Sequence, residues 1–199
     1  MRRKQPPNLL IPLAALTLIL ALSILWFPKN DPASKFDWTG IRTEVKDTIL
    51  NLYNDNYDLT SHGVGEAGRT PNQWYRQNWI KKNLTFEEAQ LLKKFPSSKV
   101  KALAYAQSIK KKPKLVTQLM KEALQDTVTF IEYHSGCTSR YYLLCEYLNR
   151  IAFSLPLGDF PDLPPNIKVL NINNEEYIYL DSLYNYRISN KSNYFNQLP

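Results

Sequence analysis

Cys137 is the residue of this chain best suited to covalent chemistry, because His134 and Glu132 lie close to it in the sequence. A thiol nucleophile needs a base within hydrogen-bond reach and a third group that orients the base. Catalytic groups usually assemble from distant segments, however, so nearness in the sequence is weak support. The simpler interpretation is a loop cysteine beside a glycine. We therefore predict no catalytic residue, and we keep a small thiol enzyme that uses Cys137 and His134 as the alternative.

Two further patterns match functional motifs only in their spelling. Gly63-x-Gly65-x-x-Gly68 has the spacing of a dinucleotide fingerprint, but the preceding residues LYNDNYDLTSH do not suggest the buried strand that this motif requires. We predict instead an irregular loop over 57–73 whose glycines adopt positive φ. Ser61 and His62 lack the nucleophile-elbow pattern of a serine hydrolase. The carboxylate pairs Glu87-Glu88 and Glu175-Glu176 fall at predicted helix starts, where they stabilise the helix dipole.

The cysteines and histidines predict neither a metal site nor a disulfide. The chain has two of each, and their spacing is not that of metal ligands. If Cys137 and Cys145 lay on one helix they would be about 12 Å apart. A disulfide allows only about 7 Å between Cα atoms. A bridge would therefore need Cys137 to lie off the helix, and we expect two small buried side chains. No cofactor is predicted.

Residues 9–27, LLIPLAALTLILALSILWF, carry no charge and predict a membrane-spanning helix. At 1.5 Å per residue the run is roughly 28 Å long, close to the thickness of a bilayer's hydrocarbon core. Ala21 and Ser23 are spaced like a weak signal-peptidase site, but the apolar run continues past them, so we favour a retained anchor over a cleaved signal peptide. The basic N-terminal flank predicts a single-pass inner-membrane protein with its N-terminus in the cytoplasm and residues 28–199 outside.

The chain is basic, with 199 residues, a formal net charge of +7 and a pI near 9.3. A basic charge can attract nucleic acid or anionic lipid, and it can also keep a protein soluble. Outside the cytoplasm we expect no nucleic acid, and we interpret the lysines mainly as a solvated surface at helix ends, with contact to anionic lipid as a further hypothesis. The lysines concerned are Lys81, Lys82, Lys93, Lys94, Lys99, Lys101, Lys110, Lys111, Lys112 and Lys114.

Apolar periodicity predicts a series of helices after a short tether. The tether covers 28–38, and a first helix follows from Thr39, with Val45, Ile49 and Leu52 on its inner face. A second helix begins near Pro71. Three more helices follow in 85–126, separated by turns at 95–97 and 112–113, and the first of them opens on a capping box at Thr85–Glu88. Helices with one apolar stripe each must pack on neighbours, which indicates a stack of antiparallel helices.

The C-terminal third is less regular in sequence. Residues 127–137 indicate an extended connection, and 138–155 predict one more helix. The tail could be a hairpin turning at Asn173-Asn174 or a helix starting at Glu175, and we favour the helix. The predicted fold class is all-α: a small HEAT-like or armadillo-like stack with an irregular C-terminal tail. The predicted segments are a cytoplasmic N-terminus (1–8), an anchor (9–27), a tether (28–38), a helical domain (39–155) and a Pro-rich connection with the tail (156–199).

Residues 84–126, LTFEEAQLLKKFPSSKVKALAYAQSIKKKPKLVTQLMKEALQD, together with the later HSGC, resemble a HEAT-like helical-repeat family found mainly in Bacteroidota. The family's T-x-E-E opening corresponds to 85–92, its helix turn to 95–106, its third-helix ending to 124–126 and its Gly-Cys loop to 136–137. The resemblance covers about residues 60 to 145. Lys101 replaces the family's usual arginine, so a planar bidentate contact is lost. The resemblance implies a helical scaffold and no particular chemistry.

The expected function is protein interaction or scaffolding at the cell envelope. Tyrosine and tryptophan are more numerous than one core requires, with 13 and 4 residues. Exposed aromatic side chains ringed by lysines suit a protein partner. The predicted partner surface consists of Trp74, Tyr75, Tyr105 and Lys101, and the expected partner is another envelope protein. A domain that touches anionic lipid is the further alternative.

Overall fold

The computed structural model describes residues 15–19, 31–55, 58–152 and 173–196. The chain divides into two compact units, Met1–Asp37 and Trp38–Pro199. In the first unit, residues 15–19 are helical and a 3₁₀ helix covers Pro32–Lys35. Asp31 caps that 3₁₀ helix, because its side chain accepts a hydrogen bond of 3.0 Å from the Ala33 amide.

The prediction of a membrane-spanning helix is corrected by the structure. Within the described ranges, no helix is long and apolar enough to cross a bilayer. Of the predicted anchor 9–27, only 15–19 is described, and the rest lies outside the described residues. The absence of a spanning helix among the described residues contradicts the single-pass, inner-membrane location and the orientation that we derived from this run.

The second unit combines helices with a small mixed sheet. Its first five helices are α1 (Thr43–Tyr53), α2 (Asn72–Asn83), α3 (Phe86–Leu92), α4 (Ser98–Lys111) and α5 (Val116–Gln125), with a 3₁₀ turn at Pro113–Leu115. Helix α6 (Leu144–Tyr147) continues into a π-helical segment, Leu148–Ala152. The described chain ends with α7 (Asn174–Ser189) and α8 (Lys191–Phe195). Strand β1 is Leu59–Val64, β2 is Phe130–Gly136 and β3 is Thr138–Leu143.

The three strands make the fold mixed α/β, so the predicted all-α HEAT-like class is wrong. The order is β1-β2-β3, with β1 parallel to β2 and β2 antiparallel to β3. Strand β1 lies where we predicted a loop. The prediction failed because β1 is stabilised by pairing with a strand about 70 residues away, which no local sequence pattern reveals. Strand β3 occupies the start of the predicted helix 138–155. Gly136, at φ 55°, turns the chain back there into a hairpin.

Helix α4 is the central element of the core. It contacts α1, α2, α3, α5, α6 and β2. The inner face predicted for α1 is confirmed at Val45, Ile49 and Leu52, which are each at most 1% exposed. Val100 and Leu103 of α4 are fully buried as well. The three consecutive helices α3, α4 and α5 are confirmed as well. They pack in sequence, with α3 on α4 and α4 on α5.

The C-terminal tail is helical where the structure describes it. The Asn173 side chain caps α7 by accepting a hydrogen bond of 2.8 Å from the Glu176 amide. The Glu176 carboxylate in turn accepts a hydrogen bond from the Asn173 amide, which completes a capping box. Leu180 and Tyr184 bury the inner face of α7, which contacts α5 and α6. The helix that we favoured over a hairpin is confirmed. The irregular tail that we assigned to this region is wrong for 174–195, while residues 153–172 lie outside the described residues.

Candidate functional site

Helix α2 is held against the sheet by amide side chains on its inner face. The Gln77 side chain pairs with the backbone of Thr60 in β1, its Nε2 donating to the carbonyl and its Oε1 accepting from the amide. Gln73 Nε2 donates to the Asp58 carbonyl at 2.8 Å. Both glutamines are at most 2% exposed. Together with Ile80 they fix which face of α2 points outward.

The outward face of α2 presents two aromatic side chains one turn apart. Tyr75 is 57% exposed and Trp79 is 36% exposed. Trp74 lies at the margin, half-buried, with its ring edge-on to Tyr75 at 5.2 Å and to His62 of β1 at 4.9 Å. We call Tyr75 and Trp79 the aromatic face. Trp79, which is not among the residues of the predicted partner surface, is thus exposed beside Tyr75.

The other two residues of the predicted partner surface lie in separate networks on α4. Tyr105 donates from its hydroxyl to Glu122 at 3.4 Å, and the Lys93 ammonium lies 5.0 Å from its ring. Burial, with the nearby Glu122 carboxylate, raises the pKa of Tyr105 to about 12. These contacts join α4 to α3 and α5. The residues that contact Tyr105 therefore differ from those that contact Trp74 and Tyr75.

Lys101 is engaged within the fold. Its Nζ donates to Asp126 Oδ2 at 3.2 Å and to Thr129 Oγ1 at 2.8 Å. Asp126 also accepts from the Thr129 amide at 2.8 Å, which turns the chain from α5 towards β2. Burial alone would raise the pKa of Asp126, but the bonds from Thr129 and Lys101 outweigh it and lower that pKa. The structure thus brings Trp74 and Tyr75 together and gives Lys101 an internal partner.

The residues of the alternative thiol site are only partly assembled. His134 Nε2 lies 3.3 Å from Glu132 Oε1, so the base and its orienting group are in contact on β2. The Glu132 charge, followed by burial, raises the pKa of Tyr141 on the neighbouring strand. Cys137, however, is exposed in the hairpin turn, and its thiol has no hydrogen bond to any described residue. The two cysteines that we expected to be buried differ: both are free, and Cys145 alone is buried.

The glycine-rich segment is shaped by its own backbone bonds. A strand does precede it, so our reason for setting a nucleotide site aside is wrong, and the geometry supplies a better one. The amides that could cradle a phosphate already donate to carbonyls: Val64 to Arg69 at 3.0 Å, Gly65 to Gly136 at 2.8 Å and Gly68 to Gly65 at 3.1 Å. The positive φ that we predicted here is confirmed at Gly65 and Gly68, 77° and 59°. Nearby, Ser61 donates to the Gly63 carbonyl rather than to His62.

Two grooves lie elsewhere on this unit. One, of about 590 Å³, is lined by polar side chains of α5 and α7, including Lys121, Glu122 and Glu176. The other, of about 500 Å³, lies along β3 and α8 and is lined by Tyr141 and Phe195. His134 and Cys137 line neither of them. The described part of the chain contains no group of three side chains that could hold a metal ion.

Five lysines gather where α2 and α4 end. Lys81 and Lys82 belong to the last turn of α2, and Lys110, Lys111 and Lys112 close α4. We call these five residues the basic end. Burial, and then the charge of Lys110, lower the pKa of Lys81. The Lys112 ammonium lies 5.5 Å from the ring of Phe86, the first residue of α3. The basic end therefore lies beside the first residue of α3.

Comparison with known proteins leaves the surfaces described above as the guide to function. No family model, curated protein or solved structure matches this chain.

Proposed function

We propose that the unit Trp38–Pro199 is a protein-interaction module that binds its partner through the aromatic face of α2. The observation that carries this proposal is the exposure of Tyr75 and Trp79 one turn apart on a helix whose other face is buried. Tryptophan and tyrosine are the residues most often found at the energetic centre of protein interfaces. A single exposed aromatic residue needs no explanation, but two adjacent ones form a patch.

The fold fixes the helix that carries these side chains before any partner arrives. Gln77 and Gln73 fix the inner side of α2 to backbone groups of Thr60 and Asp58. Arg76 adds an ion pair with Asp55 beyond the end of α1. A surface that is already ordered loses less conformational entropy on binding, so more of the contact energy appears as affinity. This support favours binding over a merely solvated helix face.

In-cell photo-crosslinking tests the proposal directly. A photoreactive phenylalanine analogue replaces Tyr75 in one strain and Trp79 in another, and Tyr186 in a matched control. Tyr186 suits the control because it is 59% exposed, on α7. We expect one discrete adduct from positions 75 and 79 and none from 186. With the probe at 75, Trp79→Ala should reduce the adduct at least tenfold, because hot-spot truncations cost about 2 kcal/mol or more.

The same experiment can refute the proposal. Equal labelling from 75 and 186 would mean that the aromatic face is no different from other exposed surface. An adduct at 75 that persists unchanged in Trp79→Ala would remove the aromatic face as the determinant. Circular dichroism of the Trp79→Ala chain guards against loss of the fold as the cause.

A further inference from the structure

We infer that the partner presents a segment rich in aspartate and glutamate to the basic end, and this inference rests on the function proposed above. The first support is that lysines of two elements far apart in the chain lie where the ends of α2 and α4 meet, beside the start of α3. Lys112 lies against Phe86 at the start of α3, and Lys110 acts electrostatically on Lys81 at the end of α2. Lys82 and Lys111 are the chain neighbours of these residues. The fold thus concentrates like charges that the sequence keeps about 30 positions apart.

The charge of the basic end is not neutralised within the fold. Elsewhere in this unit, four lysines lie 2.7–3.6 Å from a carboxylate oxygen: Lys93, Lys99, Lys101 and Lys191. Among the residues that the structure describes, none of the five lysines of the basic end has such a partner. Of the two acidic side chains in the first turn of α3, Glu88 is paired with Arg42, and the exposed Glu87 forms no ion pair with these lysines.

The free protein therefore bears an electrostatic cost that an anionic partner relieves. The carbonyl ends of α2 and α4 offset part of the repulsion, since a helix C-terminus carries roughly half a negative charge. Two such ends do not balance five ammonium groups. Carboxylates arriving from a partner would do so, and they would also speed the encounter.

Continuity with the aromatic face identifies the occupant as protein. Lys82 follows Trp79 by three positions, so both side chains lie on one side of α2. A partner docked on the aromatic face thus extends onto the basic end. Arg42, which donates to the Asn83 carbonyl at the end of α2, is paired with Glu88, so the cations of the basic end that lack a carboxylate partner are lysines. Lysine is a point charge suited to flexible carboxylate side chains, whereas the arginine fork is the group that matches phosphate in two-point contacts.

The test uses the full-length chain and a fluorescent peptide of alternating aspartate and glutamate. Lys111→Glu reverses one exposed charge of the basic end. Lys94→Glu is the matched control, because Lys94 is also exposed but lies just beyond α3, at the opposite end of that helix from Phe86. We expect Lys111→Glu to weaken peptide binding at least tenfold and Lys94→Glu less than twofold. The wild-type affinity should also fall as salt is raised.

Two further arms separate the sources of negative charge and the two proposals. Vesicles containing phosphatidylserine and a double-stranded DNA fragment are measured beside the peptide, and tighter binding to either would overturn the assignment to protein. An equal effect of Lys111→Glu and Lys94→Glu would overturn the basic end as the site. Crosslinking from position 79 then tells the proposals apart. If Lys111→Glu leaves that adduct unchanged, this inference fails while the aromatic face stands. If no adduct forms even in wild type, the proposed function itself fails.

Discussion

Glu88→Gln should destabilise the protein by about 2 kcal/mol, because it breaks a buried ion pair that joins two helices. The Glu88 carboxylate joins the start of α3 to the residue before α1. Its Oε1 accepts from the Arg42 amide at 3.1 Å and from Arg42 Nε at 2.9 Å. Its Oε2 accepts from Arg42 Nη2 at 2.9 Å and from the Thr85 amide at 3.0 Å. Glu88 is 3% exposed, so its carboxylate depends on these protein donors in place of water.

The size of the effect follows from the acidity of Glu88. Burial alone would raise the pKa of this carboxyl, but the bonds from Arg42 and Thr85 outweigh it and lower the pKa from 4.5 to about 2. At about 1.36 kcal/mol per pKa unit, that is roughly 3.4 kcal/mol. The Arg42 side chain is 51% exposed, and solvent screening reduces the figure to about 2 kcal/mol. Glutamine keeps one acceptor but turns an NH₂ group towards two donors, so we expect the loss of about 2 kcal/mol.

Urea unfolding at several pH values measures this prediction. A carboxyl whose pKa is lowered on folding stabilises the protein above its unfolded pKa, and loses that contribution as pH falls through the folded one. The free-energy difference between wild type and Glu88→Gln should therefore be complete at pH 7, and it should shrink between pH 4.5 and pH 2. At neutral pH the melting temperature should fall by about 6 °C.

Glu87→Gln is the control for Glu88→Gln, because Glu87 is exposed in the same first turn and changes the helix charge equally. It should cost less than about 0.5 kcal/mol. If Glu88→Gln behaved like this control, the Arg42 contact would contribute nothing and our reasoning would be wrong. A difference between wild type and Glu88→Gln that stayed constant down to pH 2 would equally refute the electrostatic account.

Three further measurements test other parts of the structure. In the native protein, the exposed Cys137 should react rapidly with a disulfide reagent. Cys145 should react only after unfolding, because burial raises its pKa to about 12. The mass of the labelled peptide shows which cysteine has reacted. Lys81 should be acetylated at lower pH than other lysines because its pKa is lowered, and Lys110→Gln should move that pH dependence upward, as read by mass spectrometry. Asp126→Asn should cost about 1–2 kcal/mol in urea unfolding, since it removes a charged acceptor of four donors.

Local signals predicted the helices well, because capping and apolar spacing act within a few residues. The capping box at Thr85 and Glu88 forms as expected, and so do the helices that it introduces. The sheet could not be read in the same way. Leu59 and Thr60 are buried through pairing with β2, and the helices between the two strands hide that relation from any local window. The apolar run 9–27 was interpreted by hydropathy alone, and no described helix has the length to bear that interpretation out.

The sequence predicted one of the two residues of the proposed binding surface. Tyr75 was expected to be exposed, and it is. Trp79 was missed because the inner face of α2 is built from Gln73 and Gln77, which hydropathy assigns to solvent. The two glutamines are buried because they satisfy backbone groups at the edge of the sheet, and only the structure shows those groups. Their spacing of four residues, the same as that of Tyr75 and Trp79, was the available signal.

The parallel pairing of β1 with β2 also constrains how the chain must be made. Thr60 and His134 lie side by side although about 70 residues separate them. During synthesis, β1 has no partner strand until β2 is made. In that interval the other four of the five helices that follow Trp38 pack around α4. Gln77 can shield the outer side of β1 in that interval, but the inner side stays available to any other extended segment. A fragment released by a ribosome that stalls before Phe130 would thus be prone to self-association. Rapid completion of β2 therefore protects the cell against such fragments.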